Sequence, residues 1–262
     1  MKKPFTDYQI AAVFIASKLG FRGNTAAIVE TSDEMDVHQM QQLAAEIGQP
    51  ATSFISPTSQ SGTFTVRWFA PDEEIGLCGH GAAAAAAYLG EKFPQTISFT
   101  LQYASGMMKV RYEAPDTIVL MLDPIPVINE VPIPKVISEG LGISLLAMYE
   151  TGNKHILLAD SESSIRQMIP NFEMLRKSEI FGYAVTAPGD QVDFVSRTLV
   201  PHVQQLEDHA TGSSHAMLAP FWSARLNKQK MVAHQLSPRG GAFEINLKDG
   251  KLILTGEFKW VK

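Results

Sequence analysis

Two short segments concentrate the groups that could do chemistry. Cys78-Gly79-His80-Gly81-Ala82-Ala83 and Thr211-Gly212-Ser213-Ser214-His215-Ala216 each follow an irregular acidic stretch, Asp72-Glu73-Glu74 in one half and Glu207-Asp208 in the other. Each opens a run of small and apolar residues that reaches an aromatic at a matching offset, Tyr88 and Phe221. A glycine-containing turn that opens a buried helix leaves backbone N–H groups without intrahelical partners. Those groups and the helix dipole favour an anion, so two such helices could hold a carboxylate between them. Small residues at a helix start also serve plain close packing; the repetition is what favours a binding role.

Asp208 is the leading candidate for a proton-transfer group, because a partly buried carboxylate beside Glu207 and a helix start can have a tuned pKa. Its competing role is to cap the Gly212 helix. His80 can orient a substrate or carry a proton, or simply bond backbone at a helix start. Ser213 can donate to a carboxylate oxygen or finish a cap. Cys78 stands where a helix N-terminus would favour a thiolate, but the second motif offers no matching cysteine, so it reads as structural. His209 and His215 are six apart, which does not match the i, i+4 zinc pattern, and no third ligand is evident, so no metal is expected. No Gly-x-Ser-x-Gly elbow surrounds Ser213, and there is no dinucleotide glycine fingerprint and no phosphate loop.

These groups must be positioned by mixed elements. Strand patterns fall at Ile10–Phe14, Ala26–Val29, Ala51–Ser56, Thr63–Phe69, Ile97–Gln102, Met107–Tyr112, Thr117–Leu122, His155–Ala159, Phe181–Thr186, Val192–Arg197, Met231–Leu236, Ala242–Leu247 and Leu252–Thr255. Val37, Met40, Leu43, Ala44 and Ile47 recur at helical spacing, with Ser32 or Asp33 to cap the start and Gly48 to end it. Gly79–Leu89 and Gly212–Leu226 read as buried helices, and Ser161–Met168 as a third. Asp249-Gly250 is a hairpin turn signal. The proline-rich stretch from Asp123 to Pro134 disfavours regular structure and suits a crossover. It divides the chain into an N-terminal lobe, 1–122, with the last strand (251–262) as a candidate to complete it, and a C-terminal lobe, 123–250.

Composition bounds the rest. The chain has 262 residues, 45% hydrophobic and 19% charged, enough to build a sizeable core. A net charge of −5 with scattered Lys and Arg argues against nucleic acid. A single cysteine allows no internal disulfide. No apolar run approaches the ~18 residues of a membrane helix, and the Met1–Asp7 start does not read as a signal peptide. A cytoplasmic protein is expected, with no membrane partner.

The ordered motifs resemble the PhzF-like family, relatives of diaminopimelate epimerase. The resemblance spans nearly the whole chain. It rests on Phe21-Arg22-Gly23-Asn24 with Ala26–Val29, and on Arg67-Trp68-Phe69 with Pro71, Glu74 and Leu77-Cys78-Gly79-His80. It continues through Arg197, Pro201 and Glu207–Ser213 with Ala219-Pro220-Phe221-Trp222, and closes on Gln235 and Arg239-Gly240-Gly241. It implies an α/β (α+β) fold of two pseudo-symmetric lobes, each a mixed β-sheet wrapped around a central helix, with the site where the lobes meet. It further implies cofactor-free isomerase or epimerase chemistry on a small carboxylated metabolite, and a homodimer. Asp208 and His80 then become the catalytic pair, with Gly79, Gly81, Gly212, Ser213, Ser214 and Asn24 in substrate binding.

One departure weighs against this. The family glutamate of an Asn-Leu-Ser-Glu-Thr-like segment falls on Ala51 in Gly48-Gln49-Pro50-Ala51-Thr52-Ser53-Phe54. Glu46 does not replace it. Ala12 and Thr25 also depart from the family pattern. The alternative is therefore a carboxylate-binding protein that has lost its proton shuttle. A structural protein without a ligand is the third reading, which the retained Asp208, His80 and Ser213 disfavour.

Overall fold

The computed structural model describes residues 7–31 and 35–261. The segment Met1–Thr6 and the proposed caps Ser32 and Asp33 lie outside the described residues. The chain divides into two compact units, one of residues 1–15, 24–122 and 255–262, the other of residues 16–23 and 123–254.

The first unit runs β1 (Tyr8–Ile15), β2 (Asn24–Glu30), α1 (Val37–Ile47), β3 (Thr52–Pro57), β4 (Thr63–Phe69), β5 (Glu74–Ile75), α2 (Gly79–Lys92), β6 (Ser98–Tyr103), β7 (Gly106–Glu113) and β8 (Thr117–Leu122). The second runs β9 (Val127–Val131), α3 (Lys135–Leu141), β10 (Leu145–Thr151), β11 (His155–Ala159), α4 (Glu162–Gln167), α5 (Phe172–Leu175), β12 (Tyr183–Pro188), β13 (Phe194–Leu199), β14 (Glu207–Asp208), α6 (Gly212–Leu226), β15 (Lys230–Gln235) and β16 (Gly241–Lys248). The last strand, β17 (Lys251–Val261), returns to the first unit from Thr255 onward.

In the first unit the strands close on themselves. β1, β2, β3, β4, β6, β7 and β8 pair in that order, and β17 pairs with both β8 and β1. α2 packs against β1, β2, β3, β6, β7 and β8 from inside this ring. The alanine run explains how: Ala82 to Ala87 are all fully buried, and side chains of one methyl let the sheet wrap tightly round the helix. Gly90 makes the same allowance, since a Cβ there would lie 2.1 Å from the Tyr112 ring. α1 covers the outer face through Met40 and Ala44 against Val29, Phe54 and Phe69. Its cap is Asp36, whose side chain accepts from Gln39 N while Gln39 returns a bond to Asp36 N.

The second unit repeats the pairing pattern. β1 to β7 run antiparallel, parallel, antiparallel, parallel, antiparallel through β1–β2, β2–β3, β3–β4, β4–β6 and β6–β7. β10–β11, β11–β12, β12–β13, β13–β15 and β15–β16 follow the same series. The two-residue strands β5 and β14 each sit opposite the end of β4 and β13 just before the long helix. One face of the second sheet packs α3, α4 and α5 through Ile137, Leu141, Ile165, Leu175, Tyr183 and Val185. The other face meets α6, where Trp222 donates to Thr186 Oγ1 and the Thr198 and Ser214 hydroxyls bond at 2.9 Å.

The proline-rich stretch corrects its sequence reading. It contains β9, paired antiparallel to β10, because the prolines at 124, 126, 132 and 134 flank the strand and leave its own donors intact. β10 and α3 also had no sequence counterpart. The Asp249-Gly250 expectation holds: both residues have positive φ, 52° and 72°, as a type I′ hairpin turn requires.

Candidate functional site

In the first unit, Cys78 is the N-cap of α2 and its sulfur accepts from Gly81 N at 3.3 Å. The same sulfur lies 3.6 Å from the His80 ring, and both side chains are buried. Ser53 donates to Gly81 O at 3.0 Å. Gly81 has no room for a side chain, because a Cβ would sit 2.5 Å from Trp68 Cδ1. Close packing therefore accounts for this glycine by itself. Asn24 is fully buried at the start of β2, and its Oδ1 accepts from Thr25 N. Ala51 is fully buried as well, with its carbonyl accepting from Ala27 N. Alternation along the extended chain puts its Cβ on the sheet face of Ser53, the face that carries the start of α2. Glu46 lies on the exposed side of α1.

In the second unit, Asp208 pairs with Thr198 across β14 and β13 and is half-buried. It does not cap α6. The N-cap is Thr211, which makes no side-chain cap bond. The Asp208 backbone carbonyl accepts from Gln235 Nε2 at 2.5 Å and Thr211 Oγ1 at 3.3 Å, while Gln235 Oε1 accepts from Thr211 N. Gln235 thus clamps the turn between the acidic residue and the helix. Next to it, Arg197 and Glu207 form a buried bidentate pair, 2.8 Å at both contacts. The counterpart in the first unit, Arg67 with Glu74, has the same bidentate geometry but is exposed.

Gly212 and Ser214 are buried, and Ser213 is half-buried. The Ser213 hydroxyl accepts from Lys154 Nζ at 3.1 Å. Sequence reasoning missed Lys154. It follows the β10–β11 turn, 59 residues before Ser213, and nothing local marks it as buried. Yet it is only 6% exposed, and burial pushes its ammonium down to about 8, partly offset by the Asp208 carboxylate.

The histidines separate by environment. His209 is half-buried and burial lowers its pKa. His215 is a core residue: Nδ1 donates to Thr211 O, and the ring stacks on Phe243 at 3.7 Å. Burial lowers its pKa to about 4. Among the described residues, no three His, Cys, Asp or Glu side chains gather as a metal site. The neutral His215 has a consequence for acid stability. Its folded pKa lies below its unfolded value, so between pH 6.5 and 4 the unfolded chain binds the extra proton and stability falls as pH falls. Urea unfolding at pH 7 and 4.5 should differ by about 2 kcal/mol more in the native chain than in His215→Phe. Equal pH dependence in the two would show that the imidazole takes up its proton as readily in the fold as in the unfolded chain.

No helix among the described residues is long and apolar enough to cross a membrane. A family model described as phenazine biosynthesis-like protein, PhzC-PhzF, matches residues 12–257. An uncharacterized isomerase of Halalkalibacterium halodurans is 32% identical, over 90% of this chain and 90% of its own. The crystal structure of an Enterococcus faecalis protein of the PhzF family superposes with a TM-score of 0.87 at 30% identity, covering 97% of this chain and 96% of that one. A hydroxyproline epimerase from Agrobacterium vitis shares the fold, with a TM-score of 0.67 at 11% identity, over 97% and 91% of the two chains. With motifs, pairing pattern and matches running the length of the chain, the protein belongs to the PhzC-PhzF, phenazine biosynthesis-like family.

Proposed function

We propose that this protein is an isomerase-type enzyme that moves a proton at carbon on a small carboxylated metabolite, without a cofactor. The observation that carries the reading is the start of α6: the backbone carbonyl of Asp208 is held by Gln235, which fixes this acidic residue beside a buried Gly-Ser-Ser helix opening, where N–H groups and dipole favour a substrate carboxylate. Family membership supports the reaction class; a fold alone does not. Asp208 takes the proton. The roles assigned to His80 as its assistant, and to Asn24, Gly79, Gly81, Gly212, Ser213 and Ser214 in binding, belong to the same reading. So does a homodimer, which light scattering would report as twice the chain mass.

The test is proton NMR in heavy water with proline, 4-hydroxyproline, glutamate and malate. Loss of a carbon-bound proton signal is expected, slowed at least ~100-fold by Asp208→Asn. Exchange indifferent to Asp208→Asn would remove Asp208 from the mechanism. A second reading, a carboxylate-binding protein, is favoured by the fully buried Ala51 at the family glutamate position. It predicts broadened ligand signals with no exchange, and an Ala51→Glu variant that gains exchange.

A further inference from the structure

Lys154 is placed with unusual care for a lysine. The turn before it is fixed: Thr151 Oγ1 donates to Lys154 O at 2.5 Å, and Asn153 N donates to Thr151 Oγ1. Lys154 N and Thr151 Oγ1 both lie against Met217 Sδ, which ties the turn to α6. The stem runs over Gly182, where a Cβ would lie 3.4 Å from Lys154 Cδ. The amine ends between two neutral oxygens, Asn153 Oδ1 at 2.7 Å and Ser213 Oγ at 3.1 Å. Asp208 acts on it through space.

As a purely structural feature this makes little sense. A buried ammonium costs desolvation, and the N-terminal end of a helix dipole repels it. Two neutral acceptors and one half-buried carboxylate do not obviously repay that. An amine that gives up its proton near neutral pH is, however, a competent general acid, and lysine is tunable this way where arginine is not.

We propose that Lys154 is the proton donor that partners Asp208, delivering a proton to the substrate carbon skeleton after Asp208 has removed one. This rests on the reading of the α6 start as a proton-transfer centre. The Asp208 carboxylate breaks a C–H bond and becomes the acid. The electron pair is delocalised into the substrate's carboxyl or carbonyl group. It then forms a new C–H bond as an N–H bond of the Lys154 ammonium breaks, leaving the neutral amine. Exchange with solvent restores both groups, and no oxidant or metal is needed.

Deuterium wash-in and product formation separate the two groups. With the four probes in heavy water, wash-in is followed by NMR and conversion by chiral chromatography. Asp208→Asn should lose both. Lys154→Arg, which keeps the charge but cannot release the proton, should lose conversion by at least ~100-fold while retaining wash-in through Asp208. Lys154→Met, folded by its thermal melt, should behave alike. Conversion by Lys154→Arg within threefold of the native chain, with Asp208→Asn inactive, would overturn the donor role and leave the Asp208 reading intact. Native protein that washes deuterium into none of the probes would overturn that reading, and the donor role with it.

Discussion

Replacing Lys154 with methionine is expected to raise stability by about 2 kcal/mol at pH 7. The folded pKa of about 8 lies below the ordinary lysine value of 10.5, so the fold disfavours the ammonium. The gap corresponds to roughly 3 kcal/mol carried by the native chain below pH 8, and the lost bonds to Asn153 and Ser213 return part of it. The penalty fades as pH rises from 8 to 10.5, because there the unfolded chain still binds the proton that the fold has shed. Urea midpoints of the two proteins should therefore converge toward pH 10.5. A methionine variant less stable than the native chain at pH 7 would show that the ammonium is repaid within the fold. A stabilising change that abolishes conversion is the trade expected where a site is maintained at the expense of the fold.

Arg197→Met should be the most damaging single change among the ion pairs of the described residues, costing about 3–5 kcal/mol. It strands Glu207, a carboxylate 9% exposed, without the two guanidinium bonds it accepts, and also removes the bond from Arg197 Nη1 to Met168 O. Arg67→Met supplies an internal control. The pair it breaks has the same geometry and the same place in the repeated topology, but both partners are more than a third exposed, and the loss should stay below about 1 kcal/mol. Denaturant unfolding of both variants decides this. Similar losses in the two would mean that burial does not govern the pair's worth.

What the sequence disclosed, and what it withheld, follows the range over which each feature is decided. α6 begins at Gly212 and ends at Leu226 as its run of small and apolar residues indicates, and Asn227 closes it in the left-handed conformation. The repeated motif was visible because both copies start a buried helix and carry the same local chemistry. The cap at Asp36, in place of Ser32 or Asp33, is a shift within one turn, where several residues can serve. β9 was hidden by prolines that flank it. Lys154 was hidden more deeply. A lysine in Gly152-Asn153-Lys154 looks like an exposed hairpin tip, and only the arrival of Met217, Gly182 and Ser213 buries it.

The closing strand of the first unit carries a different kind of consequence. The ring needs residues from Thr255 to Val261, which the ribosome adds after every residue of the second unit. During synthesis β1 and β8 must therefore wait with unpaired edges while the second unit is made and collapses. Such long-range closure is slow, and open strand edges invite association between nascent chains. Removing β17 should accordingly give inclusion bodies and not a truncated soluble protein.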